Sequence, residues 1–366
     1  MTSQTMRAVE LFENPLNKLN FIAGARTHVA GGKFNVFEPA NGSVLCECES
    51  ASSTDVSEAV GAAQKAFESW GNLPGLERGK VLRKTADLIR ENLDTIAHWE
   101  VRDNGKPVRE ARWDIEGVAD YFDFYASAAP TIMGDHIPLA GCNYAYTVRE
   151  PLGVVGGIGA WNYPFQTSSW KIAPALACGN TFVYKPSPWA PVTSVMLAEL
   201  ITAAGAPPGV VNVVQGEAAV GEAICSHPGI KKVSFTGSVS TGQKIMRSCA
   251  TQGLKPVTLE LGGKGALLVF EDADLDNAVT GAMMANFFTA GQVCSNASLV
   301  YVHSDLFSKF KEKLLERTKK LKIGSPHEEA TRVGATITKQ HMEKVLGYIE
   351  SAKTEVSWRN SICFYF

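Results

Sequence analysis

The 366-residue sequence lacks several features that would assign it to a specialised class of protein. No apolar run reaches the roughly 20 residues that a membrane-spanning helix needs, and no internal repeat or low-complexity segment is evident. Lys and Arg number 35 against 37 Asp and Glu, and no block of basic residues dominates any stretch. We therefore expect neither nucleic acid nor a membrane as a partner, because both need clustered positive charge.

Cysteine is sparse, and its placement argues against disulfides and metal sites. The eight cysteines are scattered, and only Cys46 and Cys48 lie close together. No CxxC pair or Cys/His spacing of a metal site occurs, so no metal is predicted. The N-terminal segment has neither the apolar core of a secretory signal nor the Arg and Ser richness of a transit peptide. We therefore expect a reduced, cytoplasmic protein.

The composition is that of an ordinary globular protein, with 45% hydrophobic and 20% charged residues. Its length predicts two or three domains. Short strands and turns are predicted over 20–50. A helix is predicted from about Asp55, which can cap it, a second over roughly 77–103, and a third through Trp113 and Tyr125.

After residue 150 the pattern becomes an alternation of short β-rich runs with helices. The predicted strands are 154–156, 181–184, 210–214 and 232–235. The predicted helices are 165–178, 191–204, 217–226 and one from about 240. Such alternation predicts an α/β fold with a parallel sheet that helices cover on both faces.

One motif, at a predicted strand-to-helix junction, is suited to a phosphate. Gly237 and Ser238 precede a helix whose free N–H groups and dipole favour an anion. Taken alone, Gly-Ser at such a junction is more often plain turn chemistry. The glycines of Gly157-Ile158-Gly159 are not completed to GxGxxG, so any dinucleotide must be held by a variant of the usual fingerprint.

Three further motifs present side chains that can act on a carbonyl group. Cys294 follows a predicted helix over 277–289. It can react if a helix end or the charge of a bound cofactor favours its thiolate. The alternative is a small buried hydrophobic residue, as most cysteines are. Glu260 lies in an otherwise apolar strand. It serves as a general base, or else it occupies an exposed edge position or forms a salt bridge with Lys264. Asn162 follows a strand and forms a turn or donates to an oxyanion.

In their order and spacing, these four motifs resemble the aldehyde dehydrogenase superfamily, from about residue 22 to residue 353. The runs 161–165 and 185–188, with Trp170 and Lys171, resemble the branch that oxidises trimethylammonium aldehydes. The implied function is oxidation of 4-trimethylaminobutyraldehyde, or a related amino or betaine aldehyde, to its carboxylic acid, a reaction of carnitine biosynthesis.

The resemblance implies a role for each site residue. Cys294 attacks the aldehyde, the Asn162 amide stabilises the oxyanion, and Glu260 activates the water that hydrolyses the thioester. The implied cofactor is NAD, with NADP open because Pro188 stands where many relatives carry an acidic residue. The implied cofactor residues are Trp161, Lys185, Ser187, Gly237, Ser238 and Gly262. Tyr163, Trp170 and Phe288 are implied to form an aromatic cage for the substrate, with core packing as the alternative.

The resemblance also implies an architecture. A Rossmann-type, parallel-sheet NAD(P)-binding domain is expected from 1–129 and 150–260, with oligomerisation strands at 130–149 and an incomplete α/β catalytic domain over 261–355. The tail, 356–366, resembles nothing in the family. Two alternatives follow: an aldehyde dehydrogenase that forms a dimer or tetramer when full-length, or a short, inactive form that binds or interferes. A cysteine hydrolase is disfavoured, because no histidine falls in a matching motif.

Overall fold

The computed structural model describes residues 12, 14–251 and 253–355, so the predicted tail at 356–366 lies outside the described residues. The strands are β1 (Asn20–Ile22), β2 (Ala25–Thr27), β3 (Lys33–Phe37), β4 (Val44–Glu49), β5 (His136–Pro138), β6 (Tyr144–Tyr146), β7 (Val154–Ile158), β8 (Thr181–Lys185), β9 (Val211–Val213), β10 (Ile230–Gly237), β11 (Val257–Leu261), β12 (Ala266–Val269) and β13 (Leu299–Val302).

Helices account for most of the remaining described chain. They are α1 (Ser53–Trp70), α2 (Gly75–Glu91), α3 (Leu93–Asn104), α4 (Val108–Ala128), α5 (Pro164–Ala177), α6 (Val192–Ala203), α7 (Ala218–Ser226), α8 (Val239–Thr251), α9 (Leu275–Phe287), α10 (Ser304–Lys319) and α11 (Lys339–Glu355), with short 3-10 helices at Ala129–Thr131 and Phe288–Gly291. Across the described ranges, none of these helices is long and apolar enough to cross a membrane.

The largest sheet of the described chain has the strand order β11-β10-β7-β8-β9-β1-β2. From β11 to β9 each neighbouring pair is parallel, and β1 and β2 add an antiparallel edge. All residues of the central strands β7 and β8 are buried, which is why their sequences read as continuous apolar runs. The predicted α/β fold with a parallel sheet is confirmed.

Separate apolar cores lie on the two faces of this sheet. One is built mainly by α2–α6 and the other by α1, α7 and α8. The glycines near the end of β7 serve this packing. A Cβ on Gly157 would lie 2.6 Å from the Phe182 ring, and one on Gly159 would lie 1.7 Å from the Tyr184 hydroxyl. Here, therefore, glycine leaves room for aromatic side chains rather than for a phosphate.

Two helix boundaries differ from the sequence prediction. The predicted helix over 77–103 is two helices, which are separated at Asn92, where the backbone leaves the helical region (φ −112°, ψ 14°) and the side chain donates to the Leu88 carbonyl at 2.8 Å. Asp55 does not cap α1. The cap is Ser52, whose hydroxyl accepts from the Asp55 N–H at 3.2 Å, while the Asp55 carboxylate accepts from the Ser52 N–H at 2.6 Å. Asp55 is thus the second half of a capping box.

Beyond the large sheet, β12 and β13 form a parallel pair that packs on α9 and α10. The buried apolar residues described there are few, namely Val269, Val279, Ala282, Phe310 and Leu314. The strands β5 and β6 form an antiparallel hairpin that is exposed along its whole length. The predicted strands within 130–149 are therefore present, while their part in oligomerisation stays a prediction.

Candidate active site

The predicted site residues come from segments that meet at one edge of the large sheet. The loops that hold Asn162, Ser187, Ser238 and Gly262 follow β7, β8, β10 and β11, which run parallel. Because parallel strands end at the same edge, these loops form one crevice, the usual ligand site of an open α/β sheet.

Cys294 follows a backbone turn of unusual conformation. After α9 the chain enters the left-handed region at Thr289 (φ 49°), Ala290 (φ 53°) and Gly291 (φ 76°), and it then reaches Cys294, whose side chain is exposed. Only glycine adopts such angles freely, and other residues held there cost about 1–3 kcal/mol each. The surrounding contacts must therefore hold Thr289 and Ala290 in place. We call residues 288–294 the nucleophile loop.

A buried carboxylate that sequence reasoning missed anchors this loop. The backbone N–H of Thr289 donates to Glu110 Oε2 at 2.7 Å, and its hydroxyl lies 3.2 Å from the same oxygen. Burial raises the pKa of Glu110 to about 7, and the hydrogen bonds from Thr289 oppose that shift. The available signal was the pair Glu110 and Asp114, one helical turn apart beside the apolar stripe of α4.

Asn162 contacts the nucleophile loop two residues before Cys294. The side-chain amide of Asn162 donates to the backbone carbonyl of Gln292 at 2.8 Å. The backbone carbonyl of Asn162 accepts from Asn104 Nδ2 at 2.6 Å. A primary amide carries two N–H groups. One of them bonds the Gln292 carbonyl.

The Gln292 side chain ties the loop to a later segment. Its Nε2 donates to the Thr289 carbonyl at 3.1 Å and lies 3.4 Å from the Ala335 carbonyl. Its Oε1 accepts from the Ile337 backbone N–H at 3.0 Å. Polar contacts thus fix the nucleophile loop against two separate parts of the chain.

Glu260 lies on the edge strand β11 with an exposed side chain, opposite Thr236 of β10. This is the exposed-edge alternative left open by the sequence, and among the described residues no salt bridge joins it to Lys264. The nearby ammonium of Lys171 donates to Thr236 Oγ1 at 2.5 Å. Burial lowers the pKa of Lys171 to about 8, and the charge of Glu260 opposes that shift.

The turn after β11 passes close to Cys294. A Cβ on Gly263 would lie 3.3 Å from the Cys294 carbonyl oxygen, and one on Gly265 would lie 2.9 Å from the Asn296 carbonyl oxygen. The structure therefore brings the segment that follows Glu260 against the segment that contains Cys294, while their shared role stays a prediction.

The predicted cofactor residues lie around the ends of β8 and β10. Lys185 is buried and donates to the Pro186 carbonyl at 2.9 Å, and burial lowers its pKa to about 8. The Ser187 hydroxyl accepts from the Trp189 N–H at 3.3 Å, and the Trp161 ring lies 6.0 Å from that of Trp189. These side chains form one wall beside the ends of the strands.

The remaining predicted cofactor residues lie at turns. The Ser238 hydroxyl accepts from the Thr241 N–H at 3.2 Å and so caps α8, which is the turn chemistry that the sequence left as an alternative. A Cβ on Gly237 would lie 2.4 Å from the Phe235 ring, whereas the space around Gly262 is open to 4 Å. The α8 N-terminus and the open turn at Gly262 leave room for an anionic ligand.

The three aromatic residues predicted as a cage are not in ring contact with one another among the described residues. Tyr163 is buried, and the Lys106 ammonium lies 3.8 Å from its ring centroid. Trp170 is 42% exposed on α5. Phe288 packs edge-on against Trp113 at 5.3 Å, and both line a cavity of about 860 Å³ between α4, α9 and α10.

Comparison with known proteins places this geometry in context. The family model described as "Aldehyde dehydrogenase family" matches residues 27–357. The 4-trimethylaminobutyraldehyde dehydrogenase B of Danio rerio is 51% identical over 340 residues, which is 92% of this chain and 65% of that protein. The human 4-trimethylaminobutyraldehyde dehydrogenase is 50% identical over 92% of this chain and 68% of its own length. The chain thus spans slightly less than two thirds of the Danio rerio relative.

Solved structures give the same result. The NAD+ complex of an aldehyde dehydrogenase from Bacillus cereus superposes with a TM-score of 0.89 at 40% identity, over 92% of this chain and 69% of that one. The sequence and fold comparisons therefore agree. This chain belongs to the aldehyde dehydrogenase family.

Proposed function

We propose that this protein oxidises an aldehyde to its carboxylic acid, with NAD+ as the electron acceptor and Cys294 as the nucleophile. The observation that supports this most directly is the hydrogen bond from the Asn162 amide to the Gln292 carbonyl. It fixes an amide donor beside the loop that presents an exposed thiol. A thiol next to an N–H donor is the arrangement that addition to a carbonyl requires.

Each step is assigned to a side chain of this chain. The Cys294 thiolate adds to the aldehyde carbon, and the free N–H of Asn162 with the Cys294 backbone N–H stabilises the oxyanion. Loss of hydride leaves a thioester on Cys294. Glu260, exposed at the sheet edge, then takes a proton from the water that attacks the thioester and releases the acid.

The nicotinamide cofactor, when bound, accepts the hydride. The crevice fits it, because the α8 N-terminus offers backbone N–H groups for phosphates and Gly262 leaves open space. Lys185 and Ser187 are proposed to hold the adenosine ribose, and Trp161 to line the same wall. The Bacillus cereus neighbour is described as an NAD+ complex, and a neighbour from E. coli is described as an NADP-dependent enzyme, so NAD is the proposed cofactor and NADP its alternative.

The proposed substrate class is a trimethylammonium aldehyde, such as 4-trimethylaminobutyraldehyde. Support comes from the names of the relatives that are about half identical to this chain. A quaternary ammonium group has no N–H to donate, so aromatic faces recognise it best. Tyr163, Trp170 and Phe288 are proposed for this contact, with the cavity lined by Phe288 as the approach.

The test measures NADH formation by the purified protein with an aldehyde, for the wild type and for Cys294→Ala. The matched control is Cys178→Ala, which removes another exposed thiol at the end of α5, outside the proposed site and the hairpin. We expect no turnover for Cys294→Ala, unchanged nucleotide binding, and wild-type rates for the control. A wild type that binds nucleotide without turnover would favour the alternative of a non-catalytic binding subunit.

We also propose that the exposed β5–β6 hairpin joins protein copies into a dimer or tetramer. The hairpin leaves the aromatic side chains of Tyr144 and Tyr146 more than half exposed. Light scattering coupled to size-exclusion chromatography should give a smaller mass for a Tyr144→Lys variant than for the wild type. An equal mass would place the oligomer contact elsewhere.

A further inference from the structure

Glu110 is a buried acid that the proposed reaction does not use. It lies in the first turn of α4 and is 8% exposed. Its Oε2 accepts from the backbone N–H of Thr289 at 2.7 Å and from the Thr289 hydroxyl at 3.2 Å. A buried carboxylate is costly unless hydrogen bonds satisfy it, and a single residue of the nucleophile loop supplies both of these.

Tyr163 approaches the same residue from the other side. Its hydroxyl lies 2.9 Å from Thr289 Oγ1. Since the Thr289 hydroxyl gives its proton to Glu110, Tyr163 is the donor to Thr289. The hydrogen bonds therefore run from Tyr163 through Thr289 to Glu110 and join α5 to α4 across the loop.

Thr289 is the residue that most needs such support. It is β-branched, it is 1% exposed, and its backbone is left-handed at φ 49°. A β-branched side chain is disfavoured in that region more than most, so the turn persists only when surrounding contacts determine it. The contacts that do so are those from Glu110 and Tyr163, together with the Gln292 amide that bonds the Thr289 carbonyl.

We propose that Glu110, with the Tyr163 hydroxyl, is a positioning residue that locks the left-handed Thr289–Ala290 turn and thereby sets where Cys294 presents its thiol. This inference rests on the proposed aldehyde oxidation. It assigns Tyr163 a function through its hydroxyl, distinct from the π face that a substrate cation would need. Only four residues lie between Thr289 and Cys294, so a change in the turn is transmitted along a short segment to the nucleophile.

The charges around Glu110 make its function dependent on pH. Lys106 in the segment before α4, Asp114 on α4 and Tyr163 just before α5 interact with it electrostatically. The charged residues that line the same cavity as Glu110 are Arg109, Arg112, Glu116, Arg317 and Arg332. Burial raises its pKa to about 7, while Thr289 and Lys106 lower it. Near neutral pH the carboxyl therefore changes between an ionised form that accepts two bonds from Thr289 and a protonated form that accepts less strongly.

The first experiment measures amide hydrogen exchange in a peptide that spans 286–296, for the wild type and for Glu110→Ala. Loss of the acceptor for the Thr289 N–H should raise exchange in this peptide on the order of tenfold, with the sheet peptides unchanged. The matched control is Glu68→Ala, an exposed glutamate on α1, which should leave the peptide unchanged. Glu110→Gln keeps an acceptor oxygen and should restore most of the protection.

The second experiment measures steady-state kinetics on the same variants and on Tyr163→Phe. Glu110→Ala should lower kcat roughly 10- to 100-fold, as a misplaced nucleophile does, and leave KM for the nucleotide unchanged. Tyr163→Phe keeps the ring and should lower kcat as well. Glu110→Gln should retain activity but lose the inflection near pH 7 in the kcat profile.

The outcomes separate the two proposals. Unchanged exchange at 286–296 in Glu110→Ala would overturn the positioning function, whatever the activity. A wild type that turns over no aldehyde would overturn the proposed function, while the exchange data would still decide the inference. If amide exchange is faster throughout the Glu110→Ala protein, the Glu110→Gln variant is decisive. A pH profile of kcat that keeps its inflection near pH 7 in Glu110→Gln would overturn the positioning function of Glu110.

Discussion

Replacing Lys106 with Met should destabilise the protein strongly, because its ammonium neutralises two buried carboxylates. The side chain of Lys106 is 0% exposed, and its Nζ lies 2.5 Å from Asp114 Oδ2 and 3.5 Å from Glu100 Oε1. Burial raises the pKa of Asp114 and of Glu100, and the Lys106 ammonium opposes both shifts. Burial lowers the pKa of Lys106, but the two carboxylates outweigh it and raise the pKa above its usual value. The ammonium therefore stays charged at neutral pH.

The size of the effect follows from these distances. With an effective dielectric constant of about 20, the two attractions amount to about 7 and about 5 kcal/mol, and desolvation of the three charges offsets most of that sum. In Lys106→Met the carboxylates remain without a cation. Protonating one of them, from an unfolded pKa of about 4, costs about 4 kcal/mol at pH 7. We therefore expect a loss of about 3–5 kcal/mol.

The pH dependence identifies the cause. In the variant the buried carboxyl has a pKa raised above its unfolded value, so stability falls as pH rises from the unfolded pKa toward the folded one. The deficit against the wild type should therefore be small near pH 4–5 and grow toward pH 7. Removing a carboxylate as well, in Lys106→Met with Asp114→Asn, should recover part of the loss at pH 7.

The assay is urea unfolding followed by circular dichroism at several pH values. The matched control is Lys320→Met, whose partner Glu316 lies 2.6 Å away in an exposed pair. Exposed pairs contribute roughly 0–1 kcal/mol, so the control should change little. A Lys106→Met deficit below about 1 kcal/mol at pH 7, or one independent of pH, would refute the reasoning.

Three further predictions follow from the proposed site. Glu260→Gln should give a burst of NADH followed by a slow steady state in stopped-flow absorbance, and an unchanged steady state would remove Glu260 as the base. Trp170→Ala should lower the preference for 4-trimethylaminobutyraldehyde over an uncharged aldehyde of equal length by about 1–2 kcal/mol in kcat/KM; equal loss on both aldehydes would argue against a cage. The pKa of Lys171 is lowered by burial to about 8, so the folded state binds fewer protons than the unfolded state above pH 8. Wild-type stability relative to Lys171→Met should therefore rise by about 2 kcal/mol between pH 8 and pH 10 in urea unfolding, and a flat difference would contradict it.

The parallel sheet could be predicted from the sequence because its strands carry a direct local signal. Residues 181–185 are buried on both faces and follow Gly179-Asn180, so an apolar run bounded by turn residues marks the strand. The break between α2 and α3 carries no such signal. The break lies at Asn92, whose side chain donates to the Leu88 carbonyl, and the apolar period continues through it. Propensity and periodicity do not register such a bond.

The resemblance of the motifs predicts the proposed catalytic residues. The contacts that hold these residues in place could not be predicted from the sequence. Glu110 follows the start of a helix, where glutamate is common at exposed positions because the helix dipole favours it. Its spacing from Asp114 beside the apolar stripe of α4 signals a buried position, but no local pattern identifies its partner Thr289, 179 residues further along the chain. The left-handed turn at Thr289 was equally hidden, since neither Thr nor Ala marks such a conformation. Both depend on long-range contacts.

The distribution of apolar burial explains why polar contacts determine the geometry around Cys294. The described apolar core beneath α9 and α10 is small, whereas the large sheet packs between two extensive ones. The nucleophile loop therefore has little hydrophobic packing of its own to fix it. Its position comes from hydrogen bonds to Asn162, Glu110 and, through Gln292, to Ile337. Because a net hydrogen bond contributes only about 1 kcal/mol to stability, a single substitution at one of these contacts should leave the protein folded while it changes the position and the reactivity of Cys294.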